Sequence, residues 1–333
     1  MKKVLLGTKK NFYKANMHCH SNISDGKYSP EELKDMYKEK GYSILAITDH
    51  EKIINHSYLD DEDFLTITSG EYAIKQFPEQ STLSNRKMKV CHINLYAKEQ
   101  NNDNSVCYSY DLDHFNKDEN DRIRLRDTYG DYERRYGSDG INEIIDIANK
   151  NGFFVCYNHP RWSLENYSDY SGYEGLWAVE VYNSASTFEG IYETDINVFD
   201  DFLRDGKKIC ASCGDDNHFD NERFKAFVMV NTDKLTYSNV IDALLNGDFY
   251  SSTGPEIYEL SVEENKVKIK CSFVKDIALS TEGRRAKRKY NTDGTLINEA
   301  EFEICPEDGY FRLDLCDQFG NHAWTQAYFI DEL

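Results

Sequence analysis

No run of eighteen apolar residues occurs in the 333-residue chain, so no segment is long and apolar enough to read as a membrane-spanning helix. The basic start, Met1 to Asn16, holds only Val4 to Leu6 as an apolar run, too short for the hydrophobic region of an export signal. Positive charge is scarce. Lys and Arg number 39 against 59 Asp and Glu, a net charge of −20. Such a surface disfavours long nucleic acids, whose binding rests on neutralising phosphates with Lys and Arg. The basic cluster Arg284, Arg285, Lys287, Arg288 and Lys289 reads as a solvated strand or loop. A Gly-rich nucleotide loop and a Gly-x-Ser-x-Gly nucleophile elbow are also missing. The nine cysteines are odd in number and scattered through apolar runs, as at Cys91, Cys156 and Cys210. They read as reduced core residues of a cytoplasmic protein with no membrane partner.

What is present is a rhythm of short apolar runs and helical patterns. The runs are Ile44 to Ile47, Phe64 to Thr68, Val90 to Tyr96, Phe153 to Tyr157, Leu176 to Tyr182 and Ile209 to Ala211. They are short and continuous, as buried parallel strands are. Ser29-Pro-Glu-Glu32 is a capping box with proline at the first helical position, and Gly41 closes that helix. Ile141, Ile144, Ile145 and Ala148 lie at helical spacing, as do Ile196, Phe199, Phe202 and Leu203. Ser238 is the expected cap of a helix carrying Ile241, Leu244 and Leu245. Strand and helix in alternation argue a parallel α/β fold, barrel or open sheet. Beyond Gly254-Pro255 the pattern changes to polar and apolar alternation with turns such as Asp293-Gly294. Residues 1–255 are therefore expected to form one α/β domain and 256–333 a small antiparallel, β-sandwich-like domain. Residues 99–139 interrupt the α/β rhythm as an insertion, either a lid or binding loop or a disordered excursion.

Nine positions carry the chemistry: His18, His20, Asp25, His50, Glu71, His92, His159, Asp216 and His218. His18 and His20 end the first strand and, being two apart, share a face. The steps from Asp25 to His50, Glu71 and His92 are 25, 21 and 21 residues, about one βα unit each. A metal-type side chain thus recurs once per unit, at the strand ends where α/β barrels place active sites. A lone histidine is ordinarily structural. Six of nine histidines at such places beside three acids are not, and His56, His114 and His322 fall outside the set. Imidazole with carboxylate suits Zn, Mn or Fe. Nine ligands exceed one ion's need, so two or three divalent ions are implied, with a glutamate able to bridge. Ions of that charge against three carboxylates make a cationic site for a small anionic substrate. They also lower the pKa of bound water towards about 7, giving hydroxide as nucleophile.

At this point the chain resembles the PHP (polymerase and histidinol phosphatase) superfamily. The resemblance rests on His18-Cys-His20 with Ser24-Asp25-Gly26, Thr48-Asp49-His50, Ser69-Gly70-Glu71, Cys91-His92, Asn158-His159-Pro160 and Asp216-Asn-His218, over roughly residues 11–255. It implies a distorted (β/α)7 barrel with a trinuclear site. By that scheme His18, His20, Glu71 and Asp216 hold one metal. Glu71, His92 and His159 hold a second, and Asp25, His50 and His218 the third. Some relatives have histidine where this chain has Asp25. The stretch Leu245 to Pro255, followed by a small β domain, resembles the subgroup that includes carbaryl- and ester-hydrolysing enzymes.

The expected function is therefore a metal-dependent phosphoesterase acting through metal-activated hydroxide. The alternatives are a metal-dependent carboxylic ester, carbamate or amide hydrolase, and a non-catalytic metal-binding regulatory module. Arg161 is the candidate for holding a substrate anion and assisting catalysis, against a surface salt bridge. Glu180 and Asn183 end another strand and are candidates to orient ligands or contact substrate. Asp49 should point away from the metals in a supporting role.

Overall fold

The computed structural model of the chain describes residues 2–7, 11–76, 87–192 and 196–333. They divide into two compact units, Ala15–Phe224 and Met1–Lys14 with Lys225–Leu333. The fold is mixed α/β with an antiparallel β region towards the C-terminus.

The unit Ala15–Phe224 is built from two sheets and the helices between their strands. Ala15 and Asn16 pair parallel with strand Ile44–Ala46, which pairs parallel with Leu65–Ile67. A second sheet has the order Ser69–Lys75, Val90–Ala97, Phe153–Tyr157, Ala178–Asn183, Cys210–Gly214. Its last three strands are parallel, as the continuous apolar runs suggest. Strand Val90–Ala97 departs from that expectation and runs antiparallel to both neighbours. Its first residues, not its last, therefore lie at the end where the parallel strands finish. That is where Cys91-His92 stands.

Helix Pro30–Glu39 begins as its sequence requires. The Ser29 hydroxyl accepts from the Glu32 amide and the Glu32 carboxylate accepts from the Ser29 amide, at 3.2 and 2.9 Å. Helix Ser138–Lys150 turns Ile141, Ile144, Ile145 and Ala148 inward, all fully buried. Each such isoleucine contributes roughly 1.5–3 kcal/mol relative to exposure. Helix Ile196–Arg204 buries Val198, Phe199, Phe202 and Leu203.

The insertion is ordered and carries its own helix, Glu119–Tyr129, capped by the Asp118 side chain and ended at Gly130. Tyr108 and Asp113 are buried in it and hydrogen-bonded at 2.8 Å. Ser105 Oγ accepts from the Ile53 amide at 3.1 Å, fixing the insertion to the chain just after His50.

The other unit has two antiparallel sheets. One has the order Lys2–Gly7, Ile257–Glu263, Lys266–Val274, Ile297–Glu303. The other runs Lys287–Lys289, Asp276–Thr281, Tyr310–Cys316, His322–Thr325, Phe249–Ser252, Phe227–Thr232. Leu260, Val267, Ile269 and Phe302 from the first sheet share one core with Leu279, Phe311, Leu313 and Leu315 from the second. The compact units separate earlier than the change of pattern at Gly254-Pro255. Strands Phe227–Thr232 and Phe249–Ser252 pair with each other, and the latter with His322–Thr325, so they belong to the β unit. The helix between them, Tyr237–Leu245, is capped by Thr236, whose side chain accepts from the Asn239 amide. Ser238, the expected cap, lies inside its first turn. No helix among the described residues is long and apolar enough to cross a membrane.

Candidate metal centre

The nine side chains singled out by spacing converge in the α/β unit. They form three groups, in each of which one ligand atom per residue lies within 4.8 Å of the others. The groups are His18, His20, Glu71 and Asp216; Glu71, His92 and His159; and His20, Asp25, His50 and His218. Glu71 stands at the centre. Its carboxylate oxygens are 3.3 Å from His18 Nε2, 3.3 Å from His20 Nε2, 3.2 Å from His50 Nδ1, 3.2 Å from His92 Nδ1 and 3.4 Å from His159 Nε2.

The local backbone explains the convergence. His18 and His20 lie just past strand Asn11–Asn16 and share a face, which brings their Nε2 atoms to 3.3 Å. His50 bridges to Glu71 in parallel register. Glu71 follows strand Leu65–Ile67, as its position suggested, and lies within the next strand, Ser69–Lys75. His159 and Asp216 adopt φ of 25° and 51°, the left-handed region that costs non-glycine residues energy and recurs at functional sites. Gly214 permits the close approach of strand Cys210–Gly214. A Cβ there would stand 2.4 Å from His18 Cβ and 2.9 Å from Glu180 Oε1.

The electrostatics fit a cation centre. Burial works against a charged His18, but Asp216, Glu180 and Glu71 overrule it and lift its pKa well above the ordinary value. His20, opposed by burial and favoured by Asp216 and Glu71, is raised to about 10, and His159 by the same acids to about 8. Burial, joined by the charge of His20, pushes His50 down to about 3. Burial alone would raise the Glu71 carboxyl; His92 and His18 hold it well below the carboxylate range. Buried acids that hold protons on their neighbouring imidazoles are acids in want of positive charge. Divalent ions would supply it, and imidazole with carboxylate is a donor set that suits such ions.

The supporting residues are equally definite. Glu180 Oε1 meets His18 Nδ1 at 2.9 Å, which leaves Nε2 facing Glu71 and Asp216. Glu180 Oε2 accepts from the His159 amide at 3.1 Å and from Asn183 Nδ2 at 2.9 Å. Asn158 Nδ2 donates to Glu71 Oε1 at 2.8 Å. Asp49 accepts from the Ser21 amide at 2.8 Å and from Ser24 Oγ at 2.7 Å, shaping the loop that presents Asp25. Glu180→Gln is accordingly expected to weaken metal binding roughly 10–100-fold, the usual cost of losing an outer partner. Competition titration with a chelator measures this, and an unchanged affinity would leave Glu180 a packing residue only.

A cavity of about 420 Å³ opens against the centre, lined by Asp25, His50, Glu71, His92, His159, Asp216 and His218. Its outer wall includes Lys75, His114, Phe115, Trp162 and Phe219. Burial and the charge of Lys75 hold His114 below its ordinary pKa. Asn183 is fully buried. Its amide donates to Glu180 and to Asp216 Oδ2 at 2.9 and 3.0 Å, and its carbonyl caps helix Ser184–Phe188. Its donors and carbonyl are turned to these partners, and it does not line the cavity. Arg161 is exposed, with Nη1 3.5 Å from the Tyr192 carbonyl, and also lies outside the lining. No motif or spacing points to Lys75, His114, Phe115 or Phe219. Trp162, three residues after His159, was the nearest thing to a signal. His56 is buried apart from the three groups, and His322 pairs with Asp314 at 2.6 Å in the β unit.

Residues 16–212 match the PHP domain family. That span is more than half of the chain, and the chain belongs to the family. Among the solved structures that resemble it are three at 14% identity. One is a two-domain protein from Bacteroides vulgatus containing a predicted PHP-like metal-dependent phosphoesterase, with a TM-score of 0.44 over 98% of this chain and 97% of that one. An amidohydrolase from Chromobacterium violaceum has a TM-score of 0.41 over 71% and 96%. The lesion-specific endonuclease of Pyrococcus furiosus has a TM-score of 0.43 over 71% and 56%. No curated protein matches the chain.

Proposed function

We propose that the chain hydrolyses a small phosphate ester at a centre of two or three divalent ions. The observation that carries this reading is the gathering of three ligand groups around one buried carboxylate, Glu71, which two of them share, beside a cavity of substrate size. His18, His20, Glu71 and Asp216 would hold one ion. Glu71, His92 and His159 would hold a second, with Glu71 bridging, and Asp25, His50 and His218 a third. Bound there, Zn, Mn or Fe would supply Lewis acidity and a water of lowered pKa, the chemistry a displacement at phosphorus needs.

The chain's own residues would do the rest. Lys75 lines the cavity and brings a positive charge to it, and His114, kept neutral by burial and by Lys75, can offer a ring N–H donor to an anion. They take the anion-holding role that position alone assigned to Arg161. Glu180, Asn183 and Asn158 hold the ligands in register. The net charge of −20 opposes long duplexes, although short oligonucleotides remain chemically suitable. The parallel strand pairs support reading this unit as a distorted (β/α)7 barrel, and nine cysteines free of disulfides support a reducing, cytoplasmic setting.

A second reading has an observation of its own. Phe115, Trp162 and Phe219 give the cavity an apolar wall that suits a neutral ester, carbamate or amide. The experiment is phosphate release from monoesters, nucleotides and short oligonucleotides by protein loaded separately with Mn, Zn and Fe. Release is expected to require metal and to fall more than about 100-fold in His159→Ala, beyond the cost of losing an outer partner. Silence across the panel with metal bound would favour the ester or amide reading. Silence on esters and amides as well would favour a regulatory metal-binding module.

A further inference from the structure

We infer that the ester's leaving group is a flat aromatic or heteroaromatic ring, held against Phe115 and Trp162. The inference rests on the phosphate-ester reading and adds to it the class of alcohol released. Phe115 comes from the insertion and stacks on His50, ring centroids 5.0 Å apart and planes at 20°. Trp162 packs on His92 and His159, at 5.5 and 5.0 Å. Its indole nitrogen donates to Glu189 Oε2 at 3.2 Å, which fixes the plane of the ring. Phe219, beside His218, adds a third ring and is 63% exposed. Leu112 and Met88 add to the apolar part of the wall.

These rings sit directly on the imidazoles of the candidate centre. Whatever is bonded to a phosphoryl group there must therefore lie along them. A sugar or glycerol moiety would lose water from its hydroxyls against these rings, with only the scattered polar groups of the lining, such as Ser186 and Glu189, to replace it. A planar ring gains both area and the preferred offset or edge-on aromatic geometry. The cavity volume of about 420 Å³ admits one such ring with its phosphoryl group. The chemistry balances without another reactant. Water adds its oxygen to phosphorus, the bond from phosphorus to the aryl oxygen breaks, and the aryl oxide leaves with the electron pair and takes up one proton.

The test compares two non-hydrolysable probes, phenylphosphonate and methylphosphonate, by calorimetry on the Mn-loaded full chain. The phenyl compound is expected to bind about tenfold more tightly, the gain of one or two aromatic contacts. Phe115→Leu and Trp162→Leu, with metal content checked by elemental analysis, should each bring that ratio to within about threefold. A variant that merely loosens the site lowers both affinities and leaves the ratio where it was. Equal affinities in the native chain, or a ratio unmoved in both variants, would overturn the inference. Phosphate release separates it from the reading beneath it. Equal release from phenyl phosphate and glycerol phosphate would sink the ring preference and keep the phosphoesterase. Ring-selective binding with no release from any ester would do the reverse.

Discussion

Glu71→Gln is expected to remove most of the bound metal and to lower phosphate release by more than about 100-fold, more than the loss of an outer partner costs. The substitution keeps the side chain's volume and removes its charge. Five imidazoles face this one carboxylate within 3.4 Å, and it belongs to two of the three ligand groups. An amide cannot bridge two cations as a carboxylate does, and its NH₂ would point donors at ring nitrogens that must themselves be acceptors towards a metal. Asp25→Asn is the informative contrast. Asp25 belongs to one group only and is partly exposed at the rim, so its loss should thin one position and leave the others. Elemental analysis after dialysis distinguishes the two variants. Thermal unfolding gives an independent reading, because metal binding at 100 times Kd stabilises by about 2.7 kcal/mol. Added Mn should raise the native Tm and leave that of Glu71→Gln nearly unmoved. A Glu71→Gln protein that keeps its full complement of metal would remove Glu71 from the centre and with it the bridging arrangement.

The centre was legible because its information is local and periodic. Two histidines two residues apart share a face whatever the rest of the chain does, and their Nε2 atoms stand 3.3 Å apart. A ligand once per βα unit survives any error in strand limits. Strand direction is not local. Nothing in Val90 to Ala97 says that it runs against its neighbours, and nothing around Thr68 says that the strands on either side of it belong to different sheets. The insertion was harder still. Its helix has almost no amphipathic pattern, burying only Leu125, and its contact with the ligand cluster, Phe115 on His50, is made 65 residues away in the chain. Arg161 and Asn183 show the converse limit. Each sits where a substrate group is expected by position, yet rotamer and neighbours turn one to the surface and the other into the ligand scaffold.

Arg134→Ala is expected to destabilise the α/β unit by about 3–5 kcal/mol, the usual cost of leaving a buried charge without its partner. For a unit of this size that is a fall in Tm of roughly 6–20 °C. Arg134 comes from the end of the insertion and Glu51 from the residue after His50; their side chains are 1% and 3% exposed and meet at 2.6 Å. The guanidinium also donates to the Ala73 carbonyl at 3.0 Å and, through Nε and Nη2, to that of Cys107 at 3.2 and 3.1 Å. It lies 4.1 Å over the ring of Tyr72. Glu51 holds φ at 68° and accepts from the Ala73 amide at 3.1 Å. One ion pair thus ties three segments together: the insertion, the strand of Glu71 and the turn after His50. Burial raises the Glu51 carboxyl and Arg134 opposes it, so without Arg134 the acid must take a proton or face the interior charged. The double variant Glu51→Gln with Arg134→Met leaves neither charge and should recover much of the loss, as apolar replacement of buried pairs commonly does. Urea unfolding of the three proteins at equal metal content measures this. A single variant as stable as the native chain would mean that the insertion is held by its apolar contacts, and that the pair has no part in fixing the wall it presents to the cavity.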